Sequence, residues 1–433
     1  MFILRLKSAI ILCAAFLTLL IVMSCDEDSP NEPNGSSQTI TVNGFVKDAN
    51  AEPVAGVTVI IKGKAPTTTD ANGGFSISDV TKPYEIRVLM STQQVAIIYQ
   101  GLTRSDPSLL YFGDVAPWKS ATITGIVPPA VGKITEVFFI SGTKVFYTIA
   151  DEATGSYTIY ADWRGSENSF TGKLQVLRWT QNSSGMPVQY DAYGYEDNLT
   201  ISAGGTFNNH NFTAGSLTDP AEQNISGTIV RPSSSYELFG KNLYLNFGSI
   251  AVNLGGESGV SLTDNFSYVV PSLAGATFGV DVWGVLFTTP NSRYTAYWKR
   301  GIAGGSSVTT INLSSSPQLN LPAHNGSGID TTTQFLWTKG TGGGISYVII
   351  EPTVSGMGPT FYIFTGENTT SIPNLAPQGL GLPSNVAYTW GVAQYFPISS
   401  INDAASTSLI QLAYRQTEGG MADSGEFTFT TKP

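Results

Sequence analysis

Between residues 39 and 90, apolar side chains recur at every second position and are broken by turn residues. ITVNGFVKD places Val42 and Val46 on either side of Gly44, and VTVIIKG puts Val57, Val59 and Ile61 on one face. Phe75 and Ile77 follow the turn TTTDANGG, and PYEIRVLM alternates Tyr84, Ile86 and Val88. Alternation with period two predicts half-buried strands, and strands about 8–12 residues apart with turn chemistry between them predict a β-sandwich. After residue 24 little of the chain has a helical period. Short runs of Val, Ile, Tyr, Phe and Thr punctuated by Gly, Asn, Asp and Pro continue to the end, so the expected fold class is all-β, as tandem sandwiches.

The first unit recurs. ATITGIVPP at 121 and NISGTIVRP at 224 repeat the opening strand with its glycine, at Gly125 and Gly227. DEATGSYTIYADW repeats the Asp-Gly-x-aromatic hairpin with Gly155, Tyr157 and Ile159, and SLTDNFSYVVPSL repeats the hairpin again with Phe266 and Tyr268. A spacing of roughly 100 residues argues for successive domains, not a short-period solenoid.

The first copy resembles the carboxypeptidase regulatory-like family, a transthyretin-like seven-strand sandwich. Gly44, Val46, Asp48, Pro53-Val54, Gly56-Val57-Thr58-Val59, Thr69-Asp70, Gly74-Phe75 and Ile77 carry the likeness. It implies an accessory module and no catalysis. From about residue 317 the character changes. Trp337, Tyr347, Tyr388-Thr389-Trp390 and the closing Phe427-Thr428-Phe429 resemble a fibronectin type III-like domain, with both tryptophans expected between the sheets.

The N-terminus reads as an address. Arg5 and Lys7 precede an apolar run from Ala9 to Met23, shorter than the roughly 20 residues of a membrane span. Val22-Met23-Ser24-Cys25 resembles the lipobox of bacterial lipoproteins, which implies lipidation of Cys25 as the first mature residue. Cys13 would be removed, so the mature chain could form no internal disulfide. Asp26-Glu27-Asp28 resembles the export signal of surface lipoproteins of the Bacteroidetes, and residues 26–38 are too polar to fold. The expected location is the outer membrane, lipid-anchored and facing the cell surface. The expected order is a signal peptide at 1–24, an acidic tether at 25–38, and the family-like sandwich at 39–117. Related sandwiches at 118–222 and 223–315 and the fibronectin-like one at 316–433 complete it.

Charge narrows the partners. The net charge is −10, and loss of Arg5 and Lys7 with the signal makes it −12. An acidic chain without a basic run repels phosphate backbones, so nucleic acid is not an expected partner. The membrane, an envelope protein or a glycan is.

Candidate chemistry is sparse. Neither His210 nor His324 begins a zinc-protease pattern or has a nucleophile elbow to serve, and both lie in Asn/Gly-rich stretches that predict solvated loops. No cofactor is expected, and no catalytic residue is assigned. Asp70-Ala71-Asn72-Gly73-Gly74 faintly resembles a calcium loop but fits a tight turn better. The one aromatic-basic cluster is RYTAYWKRG, which makes Tyr294, Tyr297 and Trp298 candidates for ligand binding. Strand alternation would send Tyr297 and Trp298 to opposite faces. The expected function is non-enzymatic: a lipid-anchored envelope protein for adhesion, scaffolding or binding. The alternative is an accessory glycan-binding lipoprotein of a nutrient-uptake system, with exposed coplanar aromatics in the last two domains.

Overall fold

The computed structural model describes residues 39–433 apart from 114, 249, 260–261, 308 and 407–417. The signal peptide, Cys25 and the tether lie outside the described residues. Strands make up more than half of the chain.

In the first sandwich β1 (Thr39–Lys47) lies between β4 (Gly74–Thr81), antiparallel, and β7 (Ser108–Leu110), parallel. The facing sheet runs β3 (Thr67–Thr68), β2 (Thr58–Ile61), β5 (Tyr84–Met90), β6 (Val95–Leu102). This order returns twice. β8 (Lys119–Ile126) sits between β11 (Ser156–Trp163) and β14 (Thr206–Phe207). They face β10 (Lys144–Ile149), β9 (Ile134–Ser141), β12 (Ser169–Gln181) and β13 (Pro187–Ser202). Likewise β15 (Glu222–Val230) sits between β18 (Asn265–Pro271) and β21 (Thr309–Asn312). Opposite run β17 (Ile250–Ser258), β16 (Glu237–Phe247), β19 (Ala276–Leu286) and β20 (Arg293–Ile302).

Register explains why the glycine and the aromatic recur together. Gly44 pairs with Phe75, Gly125 with Tyr157, and Gly227 with Phe266. In each pair the ring lies across the glycine. A Cβ added there would come within 2.7 Å of Phe75 Cε1, 2.6 Å of Tyr157 Oη and 2.7 Å of Phe266 Cζ. The hairpin turn is equally conditioned. Asp70 Oδ1 accepts from the backbone N–H of Asn72 and of Gly74, both at 2.8 Å, and Gly73 holds φ +73°. The tight-turn reading of this stretch therefore has its hydrogen bonds.

The fourth sandwich has a different order. β22 (Gln318–Leu321), β24 (Gln334–Thr338) and β27 (Thr369–Ser371) form one sheet. β26 (Thr360–Thr365), β25 (Ile345–Pro352), β28 (Ala387–Phe396) and β29 (Glu418–Thr431) form the other, with β23 (Gly326–Ile329) parallel to the end of β29. Trp337 and Trp390 are buried between them. The short helix α1 (Ile401–Ala404) packs against the first sandwich.

The sandwiches are not strung loosely. β26 lies parallel beside β6 from Thr360↔Val95 to Thr365↔Gln100, and β29 runs antiparallel beside β20 from Tyr294↔Asp423 to Lys299↔Glu418. The larger sheets of the third, fourth and first sandwiches thereby become one 13-stranded sheet. Its two faces share cores across the first seam. Ile60, Leu89, Ala96 and Ile98 of the first sandwich pack with Trp337, Phe361 and Trp390 of the fourth. On the other face Ile345, Phe364, Ile398 and Ile401 join the core of the first. Phe138, Leu177 and Trp179 of the second sandwich pack with Leu243 and Ile250 of the third. Glu52 of the first accepts from the Ser166 N–H of the second at 3.0 Å, so every sandwich touches the next and the last returns to the first.

Two outcomes follow from this packing. Gly125→Ala should lower stability by about 1–3 kcal/mol, read from urea midpoints, because the site has no room for a methyl group. Residues 39–117 produced alone should aggregate, since removal of the fourth sandwich bares Ile60, Leu89, Ala96, Ile98 and the β6 edge. A soluble monomer in sedimentation would show that the seam is dispensable.

Candidate functional site

The sequence cluster RYTAYWKRG becomes β20, the strand that joins the third sandwich to the fourth. Its aromatics are divided between the two faces. Tyr297 stacks on Phe396 at 5.9 Å, and its hydroxyl donates to Glu418 at 2.9 Å. Trp298, on the opposite face, is only 7 % exposed and lies against Gly419, where a Cβ would come within 2.6 Å of the indole. Tyr294 is 38 % exposed at the start of the strand. The three do not form one platform; two of them build the seam.

Arg300, from the same cluster, turns outward onto residues that the sequence did not single out. Its guanidinium forks onto Asp281, with Nη2 2.9 Å from Oδ2, and stacks on Tyr244 with 4.5 Å to the ring centroid. Asn242 Nδ2 donates to the Tyr244 hydroxyl at 3.4 Å. Burial pushes the Tyr244 phenol up to about 12, and it raises the Asp281 carboxyl even though Arg300 pulls it down. The strand neighbours Asn242↔Asp281 and Tyr244↔Gly279 explain the grouping. It is visible only once the strands are in register.

A second aromatic group spans the seam of the first and fourth sandwiches. Tyr99 stacks on Phe364 at 4.8 Å, Phe364 on Tyr347 at 4.6 Å, and Tyr347 on Tyr362 at 5.7 Å. Phe112 meets Tyr362 edge-on at 4.6 Å. Burial pushes the Tyr347 phenol well above its ordinary range, with further increments from neighbouring tyrosines and Glu351. These rings come from four separated segments, so no local pattern announces them.

Both histidines lie in loops, as the sequence implies, but neither is fully solvated. His210 Nδ1 lies 3.0 Å from Glu196 Oε2, and the backbone carbonyl of His210 accepts from the Tyr157 hydroxyl at 2.5 Å. His324 Nδ1 accepts from the Thr428 N–H at 3.2 Å, and its ring meets Phe427 edge-on. Both side chains are half-buried because their stretches run along neighbouring strands.

Burial also displaces charged groups away from the Arg300 cluster. Glu136, buried on β9, has its carboxyl pushed up to about 8. Lys144 is brought down to about 8 by burial, although Glu167 Oε2 stands 2.8 Å away and opposes the shift. Asp423 rises to about 6 by burial, while Gly425 N–H donates to its Oδ1 at 2.7 Å. Glu136 and Lys144 stand on paired strands of the second sandwich but at opposite ends of the pairing, Ile149↔Glu136 and Lys144↔Ser141, and Asp423 lies on β29 of the fourth, so the three do not converge. Among the described residues no group of three or more His, Cys, Asp or Glu is placed to hold a metal ion.

Residues 41–100 match the model of the carboxypeptidase regulatory-like domain. A carboxypeptidase regulatory-like domain is thus found at residues 41–100, within the first sandwich. No curated protein matches the sequence. Among solved structures the chain is similar to the TIE protein of Bacillus anthracis, at 10% identity over 63% of this chain and 50% of that one, with a TM-score of 0.16. It thus spans half the length of that protein. It is also similar to the major pilin subunit of Bacillus cereus, at 10% identity over 64% and 99% of the two chains, TM-score 0.15. The pilus adhesin SpaC of Lactobacillus rhamnosus GG, in its open conformation, gives 9% identity over 64% and 43%, TM-score 0.15. TM-scores of this size leave function to the residues themselves.

Glu136 yields a pH test. The folded chain keeps a proton on this carboxyl up to about pH 8, whereas the unfolded chain loses it near 4.5. Stability should therefore fall as pH rises between those values, with the full cost present above 8. Glu136→Gln should remove this contribution and be the more stable protein at pH 8.5, by at most about 5 kcal/mol. Parallel pH profiles of Tm for the two proteins would argue against the burial.

Proposed function

We propose that the chain is a non-enzymatic, lipid-anchored protein of the bacterial outer membrane. Cys25 carries the lipid, residues 26–38 are the tether, and the four sandwiches, the last of them fibronectin type III-like, form a scaffold at the cell surface. The observation that carries this reading is the shared sheet. It ties the domain next to the tether to the last two through backbone ladders, giving a body whose outer faces stand at fixed angles. Such a body suits adhesion or presentation of a binding surface to an envelope or extracellular partner.

A second reading, glycan capture for a nutrient-uptake system, is favoured by exposed rings. The most exposed of these lie on the second sandwich, although Phe239, Phe287 and Tyr294 of the third are also open. Tyr160 is 72 % exposed and Trp118 is 64 % exposed, with Tyr147 and Tyr195 also open. Sugars stack on such rings.

Protease applied to intact cells should shave the protein, and Cys25→Ala should release it from the membrane fraction. Protection until the outer membrane is broken would turn the sandwiches to the periplasm. An intact mass without acyl chains would remove the anchor. A glycan array separates the two readings: binding lost in Tyr160→Ala would favour glycan capture.

A further inference from the structure

We propose that the end of the first sandwich where the N-terminal segment enters docks on an anionic lipid headgroup surface through Lys62, Lys64 and Lys82. This rests on the reading of Cys25 as the lipid-bearing residue. β1 begins at Thr39, paired with Thr81 beside Lys82. Lys62 and Lys64 lie in the turn between β2 and β3 and line a shallow cavity of about 290 Å³ with Thr81, Pro83 and Tyr84. All three lysines therefore flank the point of entry.

Their state is unusual in this chain. None of the three ammonium groups has an ion pair or hydrogen bond among the described residues, whereas every other described lysine is engaged by an acid, a carbonyl or a ring. Lys62 and Lys82 are exposed and Lys64 is half-buried. Two acids share the cavity. Asp79 opposes the lysines, while Glu85 is held by Arg87 at 2.5 Å. The opposite end of the same sandwich, where β1 finishes, carries Asp48, Glu52 and Asp70. A chain of net charge −10 thus sets its unengaged lysines at one end of one domain.

The occupant follows from where the chain leads. Thirteen residues, 26–38, separate Cys25 from β1. Even when fully extended they reach at most about 45 Å. The lysine end is then the part of the body closest to the anchor. There basic side chains are attracted to anionic headgroups over a Debye length of about 8 Å. Docking would stand the first sandwich upright with its acidic end and the second sandwich directed away from the bilayer.

The test uses residues 25–433 with Cys25→Ser, which keeps every described residue and cannot be acylated. This chain is floated at low salt with vesicles of phosphatidylcholine alone or with phosphatidylglycerol added. It should float only with phosphatidylglycerol, and K62E/K64E/K82E should reduce flotation about tenfold at unchanged Tm. Inorganic phosphate at matched ionic strength should not compete. If it does, the cavity takes free phosphate and the membrane assignment falls. No flotation, or equal flotation of the triple variant, would overturn the proposal. Acylation is read separately from the intact mass of the native protein, so failure of the anchor is distinguishable from failure of the lysine surface.

Discussion

The structure depends on how it disposes of its strand edges. Every open sandwich ends in strands whose outer N–H and C=O groups have no ladder partner, and such edges invite association with other chains. Here two of the exposed edges are matched to the fourth sandwich, β6 to β26 and β20 to β29. The fourth sandwich works as a keystone: its larger sheet accepts a strand on either side and continues both neighbours. The rest follows from that pairing. Because the sheets continue, side chains on both faces of β6 are covered. Ala96 and Ile98 enter one core and Ile97 and Tyr99 the other.

This pairing was partly written in the sequence. Alternation marked the strands of the first sandwich because one face of β1 and β4 meets solvent. VAIIYQGL and TFYIFT, the two strands of the first seam, carry apolar residues on both faces, the pattern of a strand buried on both sides, usual in parallel sheets. Nothing in either run names its partner, some 265 residues away. The repeated glycine and the repeated aromatic were each legible, but their contact was not, since it depends on antiparallel register between β1 and β4 and between their counterparts. The third copy shows how much of the motif is dispensable. Without the turn glycine, Ile229 N–H donates to the Asp264 carbonyl, the counterpart of the bond from Val46 to Gly73.

The aromatic-basic cluster on β20 shows the converse. Composition picked out the strand correctly as unusual, and the reason is its seam position. An edge strand that must pair with a neighbouring domain needs large rings on both faces to fill the crevice, and Tyr297 and Trp298 do so against Phe396 and Gly419. Arg300 is then free to face outward, where Asp281 and Tyr244 supply a carboxylate and a ring. A cluster that reads as a ligand site by residue type is here largely joinery. The polar group beside it, from three different strands, had no linear signature at all.

A scaffold of this kind constrains its own mode of action. Domains joined by small polar interfaces move relative to one another by default. The first, third and fourth sandwiches are joined by backbone ladders, and the first and fourth also share apolar cores on both faces, so opening that seam would strip hydrogen bonds and bare buried surface together. Asn402 reinforces it from α1. Its side-chain oxygen accepts from Thr103 N–H at 3.0 Å, and its carbonyl accepts from Arg104 at 2.9 Å. Recognition by clamping between these domains is therefore disfavoured. Surfaces such as the outer face of β16, β19 and β20 are offered preformed, and a partner binding them loses little to conformational ordering. The same rigidity passes any orientation imposed at the tethered end on to the far sandwiches. A small number of unengaged charges beside Thr39 would thus be enough to set how the whole body stands.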